Sequence, residues 1–306
     1  MILHIIKSLL PGPAQRKNAV EPSQQDCSQL PLFHKVSQRC SRITTEEYST
    51  SFSSAIRLLH TDLQQSIYNI YGIVRFADEI VDTFHDFNKN SLLEEFKKET
   101  YRSLDSGISL NPILNSFQLT VNKYHIDRKL IDAFFKSMEM DLNKCSYDEK
   151  GYQEYIYGSA EVVGLMCLHV FCEGNSALFL RLEQPARALG AAFQKVNFLR
   201  DVNADYNFLS RIYFPGVDFS NFTQDNKSKI EQDIENDFYQ AYKGILELPW
   251  KARFGVYVAY KYYFSLFKRI KRVQASRILQ QRIRIPNYIK ALILVRAGVK
   301  NQLKLI

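Results

Sequence analysis

Two pairs of aspartates, each spaced four residues apart within a long and largely apolar helical pattern, constrain this chain more than any other feature. Asp78 and Asp82 form the first pair, and Asp201 and Asp205 form the second. Residues four apart lie on the same face of an α-helix. Burying charged stripes on apolar helices is costly unless charged partners neutralise them. The pairs therefore predict two helices whose acidic faces meet a cationic partner.

Further polar residues extend each acidic pair along its helix face. The first stripe has the spacing i, i+4, i+7, i+11 and consists of Tyr71, Arg75, Asp78 and Asp82. The second has the spacing i, i+3, i+7, i+11 and consists of Gln194, Asn197, Asp201 and Asp205. Carboxylates one turn apart suit Mg²⁺, which prefers oxygen ligands and neutralises diphosphate. Arg75 and Arg200 beside the pairs are suited to grip phosphate oxygens in a fork.

From about Phe33 onward the pattern is helix after helix, which predicts an all-α protein. Apolar spacing predicts helices over residues 63–84, 92–104, 130–142 and 152–171, and clusters of Gly, Pro and Asn predict loops over 107–112, 172–175 and 211–226. Pro185 is expected in the first turn of the helix that carries the second acidic pair. Gly244 and Pro249 are expected to bracket a short connection. One helical domain over residues 31–306 is the simplest interpretation.

Small and aromatic side chains in the 152–171 segment suggest a cavity wall. The small residues there are Gly158, Ser159, Ala160 and Gly164. Tyr157, like Tyr71, offers a π-face to developing positive charge. Glu161 is expected to pair with a nearby cation rather than to act as an acid or base.

Residues 1–30 differ from the rest of the chain and predict a disordered extension, because Gln, Asn, Ser and Pro dominate residues 11–29. A cleaved export signal is not expected, since early positive charge and a small-residue cleavage site are missing. Five cysteines without a CxxC pair give no disulfide framework and favour a reducing compartment. No uninterrupted apolar run approaches the length of a spanning helix. These features predict a cytoplasmic protein.

Positive charge is concentrated at the carboxyl-terminal end. The net charge is +8, and residues 251–306 contain fourteen Lys or Arg and no Asp or Glu. Tyrosines and phenylalanines are interspersed among these cations, a pattern that predicts peripheral association with the inner, anionic face of a membrane. Nucleic acid is the other conventional partner of such a region and is not expected here. A solvated face that contributes cations to a diphosphate site is the plainer alternative.

Five blocks of sequence resemble the signature blocks of the squalene and phytoene synthase family. They are Tyr-Ser-Thr-Ser-Phe at 48–52, Tyr-Gly-Ile-Val-Arg-Phe-Ala-Asp-Glu-Ile-Val-Asp at 71–82, Tyr-Gly-Ser-Ala-Glu-Val-Val-Gly at 157–164, Gln-Lys-Val-Asn-Phe-Leu-Arg-Asp-Val-Asn-Ala-Asp at 194–205, and Arg-Ile-Tyr-Phe-Pro at 211–215. They occur in the family's order over roughly residues 36–290, and the chain most resembles the bacterial, Bacteroidetes-type members that make phytoene. Ala204 departs from many relatives, which carry Glu at that position.

The resemblance implies a single-domain isoprenoid-synthase helical bundle with a central active-site cavity. It also implies head-to-head condensation of two geranylgeranyl diphosphates to phytoene, through a cyclopropylcarbinyl (prephytoene) diphosphate and without a nicotinamide cofactor. Mg²⁺, with Mn²⁺ as the alternative, is expected on Asp78, Asp82, Asp201 and Asp205. Residues expected to bind substrate are Ser49, Ser51, Arg75, Gln194, Asn197, Arg200 and Arg282. Tyr71, Tyr157 and Tyr262 are expected to face the carbocation.

Two alternatives remain open at the level of sequence. The first is a squalene or dehydrosqualene synthase that uses farnesyl diphosphate, because one sequence does not give the depth of a cavity. No G-x-G-x-x-G fingerprint for a nicotinamide cofactor occurs in the chain. The second alternative is a non-catalytic relative that serves as an assembly factor or lipid-binding scaffold. Intact aspartates in both pairs argue against it. The oligomeric state, the number of metal ions and the final proton acceptor are also open.

Overall fold

The computed structural model describes residues 29–143, 146–207, 213–280, 282–303 and 305, and only the backbone of residues 203–207 and 220. These ranges form thirteen α-helices without a β-strand, together with a π-helical turn at Tyr157–Glu161 and a 3-10 turn at Phe219–Asn221. The helices are α1 (Leu30–Tyr48), α2 (Thr50–Ile56), α3 (Thr61–Asp82), α4 (Lys89–Ser106), α5 (Pro112–Tyr124), α6 (Arg128–Asn143), α7 (Glu149–Ile156), α8 (Val162–Cys172), α9 (Ser176–Asn207), α10 (Gln224–Glu247), α11 (Trp250–Lys271), α12 (Ala275–Ile278) and α13 (Asn287–Gln302). Residues 1–28 of the expected extension lie outside the described residues, as do Arg211 and the side chain of Asp205.

The predicted all-α class is confirmed, and the periodic segments are helices in the structure. Residues 63–84, 92–104 and 130–142 correspond to α3, α4 and α6, and residues 152–171 run through α7, the π-helical turn and α8. Capping hydrogen bonds fix where several of these helices begin. Asn88 caps α4 by accepting from the Ser91 amide, and Thr223 with Asn226 forms a capping box at α10. A single apolar core extends through the described helices.

Two expectations about helix boundaries were wrong. Pro185 lies well inside α9, which begins at Ser176, and Gly244 lies inside α10, which continues to Glu247. The two residues face each other, since a Cβ built on Gly244 would lie 2.2 Å from Cβ of Pro185. Close packing of α9 against α10 therefore offsets the hydrogen bond that the proline removes. The short connection between α10 and α11 consists of Leu248 and Pro249.

The π-helical turn packs unusually close to its neighbours. A Cβ on Gly158 would lie 2.4 Å from the Ala133 carbonyl oxygen of α6, and one on Gly190 of α9 would lie 2.6 Å from the Ala160 carbonyl oxygen. Only glycine permits such backbone approach without displacement. Single π-helical turns within α-helices frequently occur at functional sites. Here the turn places Ser159 and Ala160 at the wall of an internal cavity.

One helical stretch, Glu149–Cys172, is long and apolar enough to cross a membrane by length and composition alone. Glu154 and Glu161 interrupt this stretch, so it is not an uninterrupted apolar run, and the expectation drawn from the sequence is not contradicted. The stretch has a mean hydropathy of 1.4 in its most apolar window, and 56% of that window is buried inside the protein. A mostly buried core helix passes the same test.

Candidate active site

A cavity of about 640 Å³ lies between α3, α9 and the helices around them. Most of its charged lining comes from the carboxyl-terminal halves of α3 and α9, where Arg75, Asp78, Arg200 and Asp201 are found. Its remaining wall is mainly apolar and includes Ile56, Leu59, Ile70, Val74, Val163, Leu168, Leu182, Leu189, Ile245 and Val256. Such a cavity suits a ligand with an anionic head and a long apolar chain.

The structure brings both polar stripes to this cavity. Tyr71, Arg75, Asp78 and Asp82 line it from α3, and Gln194, Asn197, Arg200 and Asp201 line it from α9. The backbone of Asp205 continues α9, but its side chain lies outside the described residues. The helical spacing in the sequence therefore predicted correctly that the described members of each stripe share a face, and Arg200 lines the cavity beside the second stripe.

Arginines pair with two acidic residues of the cavity, Asp78 and Asp201. Asp201 pairs with Arg200 Nη2 at 2.5 Å and with Arg282 Nε at 2.7 Å. Across the cavity, Arg75 Nη1 lies 3.6 Å from Asp78 Oδ2 and 3.7 Å from Glu79 Oε1. The cavity therefore contains both carboxylates, which can bind a metal ion, and guanidinium groups, which can bind an anion.

Asp78 has a strongly perturbed carboxyl group in the cavity. Burial raises the pKa of its carboxyl to about 7, Arg75 opposes the rise, and the nearby carboxylates of Asp82 and Asp141 add to it. The Asp78 side chain lines the cavity and is 31% exposed, so its carboxyl is only partly desolvated. A cation bound in the cavity would stabilise the charged form of this carboxyl.

Asp141 is a cavity residue that the sequence analysis did not select. It is buried on α6, and its carboxylate accepts hydrogen bonds from the hydroxyls of Tyr155 at 2.6 Å, Tyr147 at 3.4 Å and Tyr213 at 3.5 Å. The available signal in the sequence for this residue was its position, because it is an acid three residues after Met138 on the apolar face of a predicted helix. Its three tyrosine partners come from outside α6, so their convergence could not be read from spacing.

The other predicted site residues divide into two groups. Ser49 and Arg282 line the cavity, and Ser49 also caps α2 by accepting from the Phe52 amide at 3.2 Å. Residues not among the cavity lining are Ser51, Tyr157 and Tyr262. Tyr263, the neighbour of Tyr262 in the chain, lines the cavity and stacks on Phe193 with ring centroids 3.9 Å apart.

Glu161 and Tyr157 share a different partner. Arg187 Nε donates to Glu161 Oε2 at 2.5 Å, and the Arg187 guanidinium lies 5.2 Å from the centroid of the Tyr157 ring. The prediction that Glu161 pairs with a cation is confirmed.

The donor atoms of the cavity fit a divalent cation shared with an anionic ligand. Asn197 Oδ1 is buried and has no hydrogen-bond partner among the described residues, and it lies one turn before Asp201. A carbonyl oxygen beside carboxylates is a ligand type that hard cations take. Within the described ranges, no three His, Cys, Asp or Glu side chains are grouped closely enough to hold a metal ion by themselves.

Comparison with known proteins agrees with this geometry. Residues 45–288 match the model of the squalene/phytoene synthase family. The chain is 25% identical over 307 residues to a phytoene synthase from Arthrospira platensis, covering 91% of this chain and 97% of that protein. It is 26% identical over 204 residues to a 4,4'-diapophytoene synthase from Staphylococcus haemolyticus, covering 66% of this chain and 70% of that protein.

The fold also has a solved counterpart. The crystal structure of a dehydrosqualene synthase superimposes with a TM-score of 0.74 at 20% identity, covering 89% of this chain and 98% of the other. The expected isoprenoid-synthase fold is therefore confirmed. Because the family match spans most of the chain and the acidic motifs meet in one cavity, this protein belongs to the squalene/phytoene synthase family and is a prenyltransferase of isoprenoid biosynthesis.

Proposed function

We propose that this protein condenses two molecules of geranylgeranyl diphosphate head to head and forms phytoene for carotenoid biosynthesis. The observation that supports this best is the single cavity in which two acidic helix faces lie beside a long apolar wall. The charged end suits two diphosphates, and the apolar wall suits two prenyl chains. The relatives named phytoene synthase support the choice of product.

In the proposed reaction, the donor loses diphosphate and its allylic carbon bonds to the double bond of the acceptor. Loss of a proton closes a cyclopropane ring and gives prephytoene diphosphate. Loss of the second diphosphate, rearrangement and loss of another proton then give phytoene. No hydride is required, so no nicotinamide cofactor takes part. Diphosphate is the available base for the final proton.

Asp78, Asp82, Asp201 and Asp205 would hold Mg²⁺, with the orphaned Asn197 oxygen as a further donor. Mg²⁺ supplies Lewis-acid neutralisation of the diphosphate leaving group. Mg²⁺ usually binds through one or two carboxylates together with substrate phosphates, which agrees with the sparse acidic grouping of the described residues. Mn²⁺ is the alternative ion.

The arginines would exchange partners when substrate binds. Arg75, Arg200 and Arg282 now face carboxylates, and their guanidinium groups would turn to phosphate oxygens once those carboxylates hold a cation. Ser49 also lines the cavity, at the start of α2. Gln194 is a further lining residue, and its amide donates to Ser159 Oγ at 3.4 Å.

The carbocation would meet aromatic faces in the cavity wall. Tyr71, Phe193 and Tyr263 line the cavity, and the ring centroid of Phe52 lies within 6.2 Å of each of theirs. Aromatic faces stabilise desolvated cations. The roles of Ser51, Tyr157 and Tyr262 in substrate binding or cation stabilisation stay predictions.

The decisive experiment incubates the purified protein and Mg²⁺ with C20 or C15 prenyl diphosphate, with and without NADPH, and identifies the hydrocarbon. We expect phytoene from the C20 substrate without NADPH. A C30 product from farnesyl diphosphate, dehydrosqualene without NADPH or squalene with it, would favour the squalene-type alternative. The absence of hydrocarbon from either substrate would favour a non-catalytic scaffold.

Replacing Arg75 or Arg200 by lysine is expected to raise the KM for the prenyl diphosphate by about tenfold or more, because lysine keeps the charge but loses the planar fork. Steady-state kinetics at saturating Mg²⁺ measure the effect. Arg181→Lys is the matched control, since Arg181 pairs with Glu247 at the surface. Parental KM values in both cavity variants would refute the phosphate-binding role.

Mg²⁺ binding is expected to weaken as the pH falls below about 7, because a proton on Asp78 competes with the ion. The half-saturating Mg²⁺ concentration should be about tenfold higher at pH 6 than at pH 8. Without metal, the folded protein holds this proton between about pH 4 and about pH 7 while the unfolded chain has lost it, so rising pH destabilises the fold across that window. Mg²⁺ titrations followed by thermal unfolding at each pH measure both effects. An unchanged midpoint concentration would contradict the competition.

We further propose that the protein acts in the cytoplasm, peripherally associated with the inner face of the membrane. Its proposed product is a hydrocarbon and partitions into lipid. The acid-free region from Lys251 onward carries fourteen cations, each worth about 1 kcal/mol when it lies near an anionic surface. Arg282 and Lys271 pair with Asp201 and Glu235, so only part of this charge is available to lipid.

A further inference from the structure

The outward face of α13 is apolar. Five side chains at the spacing i, i+4, i+7, i+11, i+15 form a stripe, hereafter the α13 stripe, and their exposed fractions are Tyr288 73%, Leu292 46%, Val295 63%, Val299 51% and Leu303 63%. A helix on the surface of a soluble protein normally carries polar residues on this side. The inward side is also apolar, because Ala297 is buried and Ile293 and Leu294 pack against the core. The helix therefore has two apolar faces, and only the inward one packs against the core of the protein.

Cations flank the stripe. Arg296 and Lys300 are exposed on α13, and Arg284 is exposed just before it. None of the three forms an ion pair with any residue whose side chain the structure describes, and the sequence contains no acid after residue 250. An exposed apolar strip bordered by unneutralised cations matches the chemistry of an anionic lipid surface, which offers an apolar layer beneath a layer of phosphates.

A second copy of the chain fits this face less well. Symmetric pairing through α13 would place the same patch against itself. The cations of one copy would then face those of the other without a nearby acid, and like charges across an interface oppose association.

The helix is also tied to the rim of the active-site cavity. Arg282, five residues before α13, binds Asp201 in the cavity. Lys290 Nζ on α13 donates to Thr50 Oγ1 at 3.2 Å, and Thr50 directly follows the cavity residue Ser49. A surface that binds α13 would therefore lie beside the charged end of the cavity.

We propose that α13 is an interfacial helix whose stripe enters the headgroup layer of an anionic bilayer while Arg284, Arg296 and Lys300 contact lipid phosphates. This inference rests on the proposed membrane association and specifies the surface responsible. It brings the cavity next to the phase in which prenyl chains and hydrocarbon products dissolve.

The test is co-sedimentation of the full-length protein with vesicles of phosphatidylcholine alone or mixed with phosphatidylglycerol, across a salt series. The parent should bind the anionic vesicles more strongly and release them as salt rises, since exposed charges are screened over about 8 Å at physiological ionic strength. The triple variant Leu292→Ser, Val295→Ser, Val299→Ser should bind the anionic vesicles at least about tenfold more weakly than the parent. The pair Arg296→Gln, Lys300→Gln should also bind more weakly and show a shallower salt dependence.

The matched control replaces three exposed apolar side chains elsewhere: Leu110→Ser, Leu180→Ser and Tyr239→Ser, which are 90%, 69% and 60% exposed. This control should bind vesicles like the parent. Thermal unfolding and turnover of detergent-dispersed substrate should remain at parental values in every variant, which shows that the fold is intact.

Three outcomes overturn the proposal, each in a different way. If the parent binds anionic vesicles and the stripe variant binds equally well, α13 is not the docking face although the membrane association stands. If the parent fails to bind at low salt, both proposals fail. If the parent does not bind vesicles and sediments as a dimer that the stripe variant converts to a monomer, a second copy covers the stripe.

Discussion

Replacing Asp78 or Asp201 by asparagine is expected to lower turnover by roughly 10³ or more while the protein remains folded, because either change removes a carboxylate from the charged end of the cavity. For Asp78 the change should leave stability equal or higher. Its carboxyl has a pKa raised to about 7, so burial already disfavours the charged form that asparagine lacks. Function then requires a negative charge on Asp78 that lowers the stability of the metal-free protein. Other active sites likewise trade stability for activity.

For Asp201 the same change should lower stability modestly, since Arg200 and Arg282 lose their shared carboxylate. Single-turnover rates and thermal unfolding, measured together, separate the two effects. Asp105→Asn provides the control, because Asp105 pairs with Arg128 at the surface away from the cavity. Removal of Mg²⁺ by a chelator should reproduce the loss of turnover in the parent, and its return should restore it. Near-parental turnover in either cavity variant would exclude the metal-binding role.

How much of this site the sequence revealed depends on the kind of signal each residue gives. The two acidic stripes repeat at helical spacing within single helices, so local periodicity alone placed Arg75, Asp78, Asn197 and Asp201 on cavity-facing sides. Asp141 gives no such pattern. Its place in the site depends on Tyr147, Tyr155 and Tyr213, which reach it from separate segments, and tertiary convergence of this kind has no local signature.

The same limit explains the errors in helix boundaries. Proline favours a first turn when only neighbouring residues are considered, yet Pro185 is held inside α9 by the glycine that faces it from α10. Similarly, Tyr262 and Tyr263 are adjacent in sequence, and the rotation of α11 against its neighbours decides that Tyr263 lines the cavity. Spacing within α11 could not fix that rotation, because apolar and aromatic residues surround much of the helix.

Gly190→Ala and Gly158→Ala are each expected to destabilise the protein by about 2 kcal/mol, the usual size of an overpacking defect. In both cases the new methyl group would meet a backbone carbonyl oxygen, 2.6 Å away for Gly190 and 2.4 Å away for Gly158. A backbone oxygen cannot rotate aside as a flexible side chain can, so the helices must separate. At about 1.4 kcal/mol for each factor of ten, the equilibrium between folded and unfolded states should shift by roughly 30-fold.

Gly298→Ala is the matched control for these two substitutions. It replaces a helical glycine with nothing within 4 Å of the new methyl group, and it should stabilise the protein slightly because alanine favours helix over glycine. Urea unfolding of the three variants measures the difference. The helices that Gly158 and Gly190 hold together also form the wall beside Ser159 and Ala160, so separation should widen the cavity and loosen the grip on the prenyl chain. We therefore expect the two destabilised variants to show a raised KM for prenyl diphosphate, with inhibition by inorganic diphosphate unchanged. Parental stability in Gly190→Ala would mean that α9 and the π-helical turn are not in the close contact described here.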